Sequence, residues 1–489
     1  MVPDKEWRGE GQNVDKRTAR KIHAEEFQHT IREIRQEYLR EFQARQVKAE
    51  PEIGSDQIHV YVRKRPVLEH ELANHEFDVI SSIGLREIVI HECKMHNDMR
   101  HKYIMSHHQR FSRCYDDKTE TESVYEDAGK PLVLHAMSGG KSVCMMYGQT
   151  GSGKTYTMGG MFAFIAEDLF TEAVGDVDFD VSVSAIEIVG SKCFDLLHER
   201  SKVMVCDDAD GNTSLLNCSE TSADSSNSLL DILENVKSLR TTEATNVNSQ
   251  SSRSHLVVYV NLRDNKGALY GQLVLLDLAG SERNEDSFYH DAARRKETIE
   301  INKSHLALKE CIRAIGSEDT SGYVPYRAST LTRILKSCLW SKNSSTSVIA
   351  TISPLSVDTE HTLHALLCAG QMLEETPHLR TEKTEVEQDE PPIMAVREWD
   401  NEMVREWICG QRKGSFAKYS GNITTALDGR MLVRFTVARF TQICDGDATD
   451  AAHLFKALRN EMANQEKQLK AKRVRIAGRN APKAGVHRD

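Results

Sequence analysis

The chain has 489 residues, 39% hydrophobic and 28% charged, with a formal net charge of −10; this exceeds one ordinary domain, predicts two or three, and excludes a disordered class. Eleven scattered cysteines without a C-x-x-C pair argue against a disulfide framework or zinc site and fit free thiols in a reducing compartment. No apolar run approaches the roughly 20 residues of a membrane span, Met1 opens on a polar stretch, and the acidic balance argues against a generally basic chain, so cytosol or nucleus is expected, with no membrane or nucleic-acid partner.

Residues 14–47 carry Phe27, Ile31, Ile34, Tyr38 and Phe42 at three- and four-residue steps among Lys, Arg and Glu. This spacing predicts one amphipathic helix, roughly 50 Å long at ~1.5 Å per residue. Its apolar register lasts about two heptads, so a docking or neck helix is preferred to a coiled coil. Pro51 and Gly54 break it, and residues 1–56 form a charged helix and connector. Ile58-His59-Val60-Tyr61-Val62 then alternates as a strand and opens a large α/β region over residues 57–375. Val143 to Tyr147 reads as a buried strand, as do 181–188, 256–262, 272–277 and 348–352. Residues 376–395 turn acidic and proline-containing, which reads as a linker of about 20–25 Å reach. Trp399, Val404, Trp407, Ile408, Phe416, Tyr419, Leu427 and Leu432 supply a small all-α domain over 396–462, and 463–489 is a basic tail, helical at first.

Between the strand ending at Tyr147 and a plausible helix lies Gly148-Gln149-Thr150-Gly151-Ser152-Gly153-Lys154-Thr155. Backbone N–H groups and a helix N-terminus converge at such a corner, which makes it a phosphate loop and a nucleoside triphosphate the expected ligand. The glycines wrap the anion, Lys154 reaches the β- and γ-phosphates, and the Thr155 hydroxyl sits on Mg²⁺. Two candidate γ-phosphate sensors follow. Asn248-Ser249-Gln250-Ser251-Ser252-Arg253-Ser254-His255 offers hydroxyls to the metal and phosphate. Leu275-Leu276-Asp277-Leu278-Ala279-Gly280-Ser281-Glu282 ends a strand in an acid. Asp277 suits an outer-sphere Mg²⁺ role, the Gly280 N–H can meet the γ-phosphate, and Glu282 can pair with Arg253 when the site closes.

With these motifs in this order, the chain resembles the kinesin motor family over residues 57–375. Arg63-Lys64-Arg65-Pro66 is similar to that family's element beside the adenine, and Asn302-Lys303-Ser304 with Leu306 to Ile312 is similar to its microtubule-facing helix. The resemblance implies a P-loop NTPase fold with a mixed central sheet flanked by helices on both faces. It implies Mg-ATP as ligand, held by Arg63, Arg65, Pro66, the loop from Gly148 through Gln149, Thr150, Gly151, Ser152 and Gly153 to Lys154 and Thr155, and Tyr156. Catalytic roles fall to Glu282, Arg253, Ser251 and Gly280, and the metal to Thr155, Ser252 and Asp277. Tubulin is the implied partner, met by Arg294, Lys303, Lys309, Arg313, Arg327 and Arg333, and a microtubule-bearing cytoskeletal location follows, spindle and flagellar structures included. Independently of the resemblance, no N-K-x-D guanine-reading motif is present, which weakens a GTPase reading.

Residues 56–72, Lys309-Glu310-Cys311 and Glu360-His361-Thr362-Leu363 look like the internal-motor class, kinesin-13, whose members remove tubulin from microtubule ends. A basic neck before the motor also belongs to that class, and the helix from Lys16 to Arg45 can fill that place. The chain departs from the class pattern at several positions. Its Lys-Val-Asp finger corresponds to His96-Asn97-Asp98, a usual lysine is Thr330, a usual glycine is Thr298, and a usual leucine is His305. Trp399-Asp400, Phe416 to Tyr419 and Leu427-Asp428-Gly429-Arg430-Met431-Leu432 resemble a sterile-alpha-motif (SAM) domain, implying self-association or SAM partners; an unrelated helical bundle shares such spacing. The tail leaves three readings open: microtubule affinity, nuclear import or a merely solvated segment. A depolymerising or length-regulating ATPase is the expected function, with a microtubule-binding scaffold as the alternative and plus-end transport third.

Overall fold

A computed structural model describes residues 15–44, 57–98, 101–171, 178–207, 213–242, 253–282, 292–316, 324–339, 341, 343–373, 380–386 and 394–479. The chain divides into two compact units, residues 1–387 and 388–489.

In chain order the first unit begins with α1 (Lys16–Ile22), α2 (Ala24–Ala44), β1 (Ile58–Lys64), α3 (Glu69–Ala73), β2 (Ile80–Ile83), β3 (Glu87–Met95), β4 (Lys102–Arg110) and β5 (Arg113–Tyr115). It continues through α4 (Thr121–Ala128), α5 (Lys130–Met137), β6 (Lys141–Tyr147), α6 (Lys154–Thr171), β7 (Asp180–Val189), β8 (Lys192–Asp195), β9 (Ser201–Asp207), β10 (Thr213–Leu216) and β11 (Thr221–Ala223). It closes with α7 (Ser226–Thr242), β12 (His255–Arg263), β13 (Leu269–Asp277), α8 (Ala292–Gly316), α9 (Thr330–Leu339), β14 (Ser344–Ile352), α10 (Thr359–Gly370) and β15 (Arg380–Glu385).

The main sheet has the order β10-β9-β8-β7-β12-β13-β6-β14-β1-β5, with β11 paired to β7. Strands β13, β6, β14, β1 and β5 run parallel, while β7, β8, β9, β10 and β12 join antiparallel, so the expected mixed sheet is observed. Its middle strands are continuous apolar runs because both faces are covered. The register brings Asp277 beside Met146 and Ala350 beside Tyr147. The carboxyl ends of β6, β13, β14 and β1 and the start of β12 therefore meet at one edge, where α/β sheets bind ligands.

A second sheet, β15-β4-β3-β2, carries the N-terminal helices. The predicted single helix is broken at His23, which closes α1 at φ −107°, ψ 25°. Asp15 caps α1 by accepting from the Arg17 and Thr18 N–H groups at 2.9 and 3.2 Å. The α2 stripe Phe27, Ile31, Ile34 and Tyr38 is buried, and at about 1.5–3 kcal/mol per fully buried large apolar side chain this outweighs any surface ion pair. Docking is therefore observed, and the neck is not simply a basic surface. Arg20, 1% exposed, binds Glu360 through both terminal nitrogens at 2.9 and 2.6 Å and donates to the Cys93 and Ser356 carbonyls at 3.1 and 2.9 Å. Arg35 donates to Ser81 Oγ and the Asp78 and Ile80 carbonyls.

The expectation of a linker over 376–395 needs correction. Residues 380–385 form β15, antiparallel to β4, and the division between units falls at 387. Arg-Thr-Glu-Lys-Thr-Glu reads as coil by composition, yet its charges find partners across the sheet: Glu382 accepts from Tyr38 at 2.8 Å, Glu385 meets His96 at 2.8 Å, and Lys383 lies over the Tyr103 ring at 4.5 Å. A charged edge strand of this kind resists pairing with other chains.

The second unit is helical: α11 (Asn401–Gly414), α12 (Gly429–Leu432), α13 (Val437–Ile443) and α14 (Ala448–Arg479), with a 3₁₀ stretch over Ser415–Asn422. Its core contains Trp399, Val404, Ile408, Phe416, Tyr419, Leu427, Leu432, Phe440, Leu454 and Leu458. Asp428 caps α12 by accepting from the Met431 N–H at 2.9 Å. A Cβ on Gly429 would stand 1.8 Å from the Val396 carbonyl, which is why glycine follows that aspartate.

Candidate functional site

The loop between β6 and α6 is shaped by three left-handed glycines, Gly148, Gly151 and Gly153, at φ 146°, 75° and 104°. Any side chain at Gly148 would strike the Thr351 carbonyl at 2.2 Å, so the loop is packed against β14 as well as bent. Ser152 Oγ donates to the Gln149 carbonyl at 2.7 Å and meets Thr351 Oγ1 at 2.7 Å. Lys154 Nζ is buried and donates to the Gly148 and Gln149 carbonyls, both at 2.9 Å. Burial pushes its pKa below the ordinary lysine value, with Asp277 and Glu282 opposing that shift. Its ammonium is thus held in reserve by two carbonyls at the floor of a turn built for anions.

Asp277, at the end of β13, is wholly buried. Its Oδ2 accepts from Thr155 Oγ1 at 2.7 Å and from Arg240 Nη1, while Oδ1 has no partner among the described residues. A buried carboxylate oxygen left open beside a hydroxyl that retains lone pairs fits a hydrated Mg²⁺, so Thr155 and Asp277 would hold that ion and its water. Arg240 was not singled out from the sequence. Only 2% exposed, it also donates through Nη2 to the Ser254 carbonyl at 2.8 Å, so one guanidinium on α7 joins Asp277 to the start of β12. No motif marks it, because its partner lies 37 residues on.

Glu282 stands over the phosphate loop. Its carboxylate accepts from the Thr150 N–H at 2.9 Å and from the Thr150 hydroxyl at 2.5 Å. The expected Arg253–Glu282 pairing is therefore not the arrangement of Glu282 in this structure: the carboxylate takes the loop donors that face outward, as an anion would. A Cβ on Gly280 would meet Glu282 Oε2 at 2.2 Å and Thr150 Oγ1 at 2.4 Å, so any side chain there would displace the carboxylate or the hydroxyl from their contact. The Ser281 N–H donates to the Gly148 carbonyl at 3.1 Å, fastening the second sensor to the first loop. Ser251 and Ser252 lie outside the described residues.

The predicted base-side residues gather at the same edge. Arg63 donates to Thr157 Oγ1 at 3.1 Å and Thr121 Oγ1 at 2.9 Å, with its guanidinium 5.6 Å from the centre of the Tyr156 ring. That ring is 72% exposed, a free aromatic face beside the loop. Arg65 Nε donates to the Gly151 carbonyl at 2.8 Å, and its Nη1 to the Pro66 carbonyl at 2.8 Å and to Glu71.

Among the cations expected to face tubulin, Lys303, Arg327 and Arg333 line one cavity of about 210 Å³ with Glu300 and Thr330. Asp207 tempers it, 3.6 Å from Arg327 and 3.3 Å from Arg333. Arg333 also donates to the Val205 carbonyl at 3.3 Å, which makes it partly a structural residue. Lys309 and Arg313 lie nearly two and nearly three turns beyond Lys303 along α8, and Arg294 is in its first turn. Between β3 and β4, Asp98 is exposed and accepts from the His101 N–H at 3.0 Å.

Comparisons with known proteins agree with this geometry. The kinesin motor domain family model matches residues 63–374. A diatom spindle kinesin-1 from Cylindrotheca fusiformis is 38% identical over 320 residues, covering 65% of this chain and 51% of that protein. The chain thus spans about half the length of the curated relative it matches. A solved structure of a fast kinesin, described for its ATPase mechanism and interactions with microtubules, matches at a TM-score of 0.56 with 26% identity, covering 69% of this chain and 96% of that one.

Proposed function

The chain belongs to the kinesin motor family, and we propose that it hydrolyses Mg-ATP while bound to microtubules and acts on their length, most like the depolymerising class. The convergence of Lys154, Thr155, Asp277, Gly280 and Glu282 on one loop carries the ATPase reading. Bound Mg²⁺ would neutralise phosphate charge. Lys154 exchanges two carbonyls for phosphate oxygens, and the Gly280 N–H meets the γ-phosphate. Glu282 yields the Thr150 donors to the nucleotide and then pairs with Arg253 to hold the attacking water, with Ser251 and Ser252 closing the other side.

The reading of length control rests on how the chain leaves the motor. Both flanks are tied down, α1 through Arg20–Glu360 and β15 through β4 and Tyr38, which suits a motor that holds a filament end better than one that swings a lever. The helical second unit, with its capped Asp428-Gly429 turn, supports a SAM-like module for self-association or partner recruitment, which would supply multivalency. A spindle relative supports a microtubule-bearing cytoskeletal location, the spindle included. The departures at His96-Asn97-Asp98 and Thr330 favour a second reading, a microtubule-binding scaffold with incidental ATPase.

Stabilised microtubules incubated with the protein and ATP distinguish these. Shortening from the ends with ATP, but not with a non-hydrolysable analogue, is the expected result. Decoration without stimulated turnover would establish the scaffold instead, and directional gliding would establish transport.

A further inference from the structure

Strand β14, whose Thr351 packs against Gly148 and Ser152 of the phosphate loop, runs on into a 3₁₀ turn over Ser356–Asp358. Side chains from two directions hold this segment. From the phosphate loop comes Arg65. Its Nε donates to the Gly151 carbonyl at 2.8 Å, its Nη2 to Ser353 Oγ at 3.3 Å, and its N–H to the Ile352 carbonyl at 3.2 Å. Ser353 Oγ donates onward to Asp358 at 2.6 Å. From the other direction comes α1. Arg20 donates to the Ser356 carbonyl at 2.9 Å and grips Glu360 with both terminal nitrogens. Lys21 Nζ lies 2.9 Å from Glu76, which accepts from Ser356 Oγ at 2.8 Å and from the Val357 N–H at 3.2 Å. Glu76 is 7% exposed, and His75 before it stands at φ 61°, so a strained residue delivers this carboxylate to the turn.

We infer that Arg20 is a positioning residue for the nucleotide: α1 clamps the 353–358 segment, and Ser353 with Arg65 passes that constraint to the phosphate loop. The two cations of α1 meet two carboxylates, Glu360 and Glu76, on either side of the turn, so the turn is fixed only while the helix is seated. Taking Arg20 away leaves the Ser356 carbonyl and Glu360 without the guanidinium that spans them. Ser353 and Arg65 then lose their fixed end, the loop loses its backing at Gly151, and bound ADP leaves faster. The route is a contiguous set of directional bonds rather than mere proximity. The segment ahead of the motor is thus part of the frame of the nucleotide site. This inference rests on the ATPase reading above for its consequence, though not for the clamp itself.

The test uses the full chain with Arg20→Met, Ser353→Ala and the two combined. Hydrogen exchange of the Ser356–Asp358 amides is followed beside that of β12, and a bound fluorescent ADP analogue is chased with excess ATP. In Arg20→Met, exchange at the turn is expected to rise about tenfold with β12 at parent values, and release of the analogue to quicken at least fivefold. In the Ser353→Ala background, Arg20→Met should quicken release less than twofold further, because the route is already cut. Unchanged exchange at the turn overturns the clamp. Faster exchange with release at the parent rate overturns its role in holding nucleotide, and a full fivefold effect in the Ser353→Ala background overturns the route. An unsubstituted chain that does not take up the analogue would refute the ATPase reading while exchange still judges the clamp. Should Arg20→Met not fold, Lys21→Met decides, since that side chain is 42% exposed: the clamp requires release at least twofold faster, and release at the parent rate overturns it.

Discussion

Replacing Arg240 by methionine removes a guanidinium while keeping much of its stem volume. In the parent, Arg240 gives one charge-assisted hydrogen bond to Asp277 and one to the Ser254 carbonyl. At about 1.5–3 kcal/mol each, these sum to roughly 3–6 kcal/mol. Viewed as a broken buried ion pair, the loss is about 3–5 kcal/mol, because Asp277, 0% exposed, keeps only the Thr155 hydroxyl. Both routes give several kcal/mol, a large share of a typical domain's stability. Native-state hydrogen exchange at β6 and β13 amides reads the first unit by itself, whereas tryptophan fluorescence would also report Trp399 and Trp407 of the second. Arg240→Met should lower protection there by about 3–5 kcal/mol. Asp277→Asn combined with it should cost at least ~2 kcal/mol less than the sum of the single changes. A loss below ~1 kcal/mol, or an additive cycle, would refute the claim that these two residues form the buried joint of the site.

Gly280→Ala should bind nucleotide yet turn it over at least a hundredfold more slowly, since its Cβ must displace Glu282 or Thr150; steady-state turnover beside analogue binding checks this, and Glu282→Ala should behave alike. Tyr38→Phe removes the donor to Glu382 and the contact with His108, and about 1–3 kcal/mol of protection should vanish from β15, read by exchange of its amides. His91, between Ser81 and Ser106, is held neutral by burial with its pKa lowered to about 3. Its contribution is complete above the unfolded value near 6.5 and is lost as pH falls through the window down to about 3. By pH 5.5 this amounts to about 1.4 kcal/mol. His91→Gln should flatten the acid limb of a denaturation profile by that amount, and an unchanged limb would count against it.

The phosphate loop and the Asp277–Glu282 segment were legible in the sequence because each depends on local spacing: a strand, a turn that only glycine permits, and a side chain within a few residues. The core strands were legible as apolar runs for the same reason. Arg240 was not, since its value comes from a partner across the sheet, and neither was the hold of His255 on the Ala279 N–H. The strand β15 was hidden because an edge strand stabilised by cross-strand charges has the composition of a linker. The helix over 14–47 showed its buried stripe plainly, whereas the break at His23 and the inward turn of Arg20 depend on Glu360, 340 residues away. The Arg253–Glu282 pairing was read from the two motifs for the closed site, whereas in this structure Glu282 lies on Thr150, the donor an incoming phosphate would claim.

The most direct test of the central claim is steady-state ATP turnover of the intact chain, with Mg²⁺, across a range of microtubule concentrations. The site described above predicts slow basal hydrolysis that rises severalfold to saturation with microtubules and collapses in Glu282→Ala despite retained ATP binding. Turnover indifferent to microtubules, or undiminished in Glu282→Ala, would contradict it.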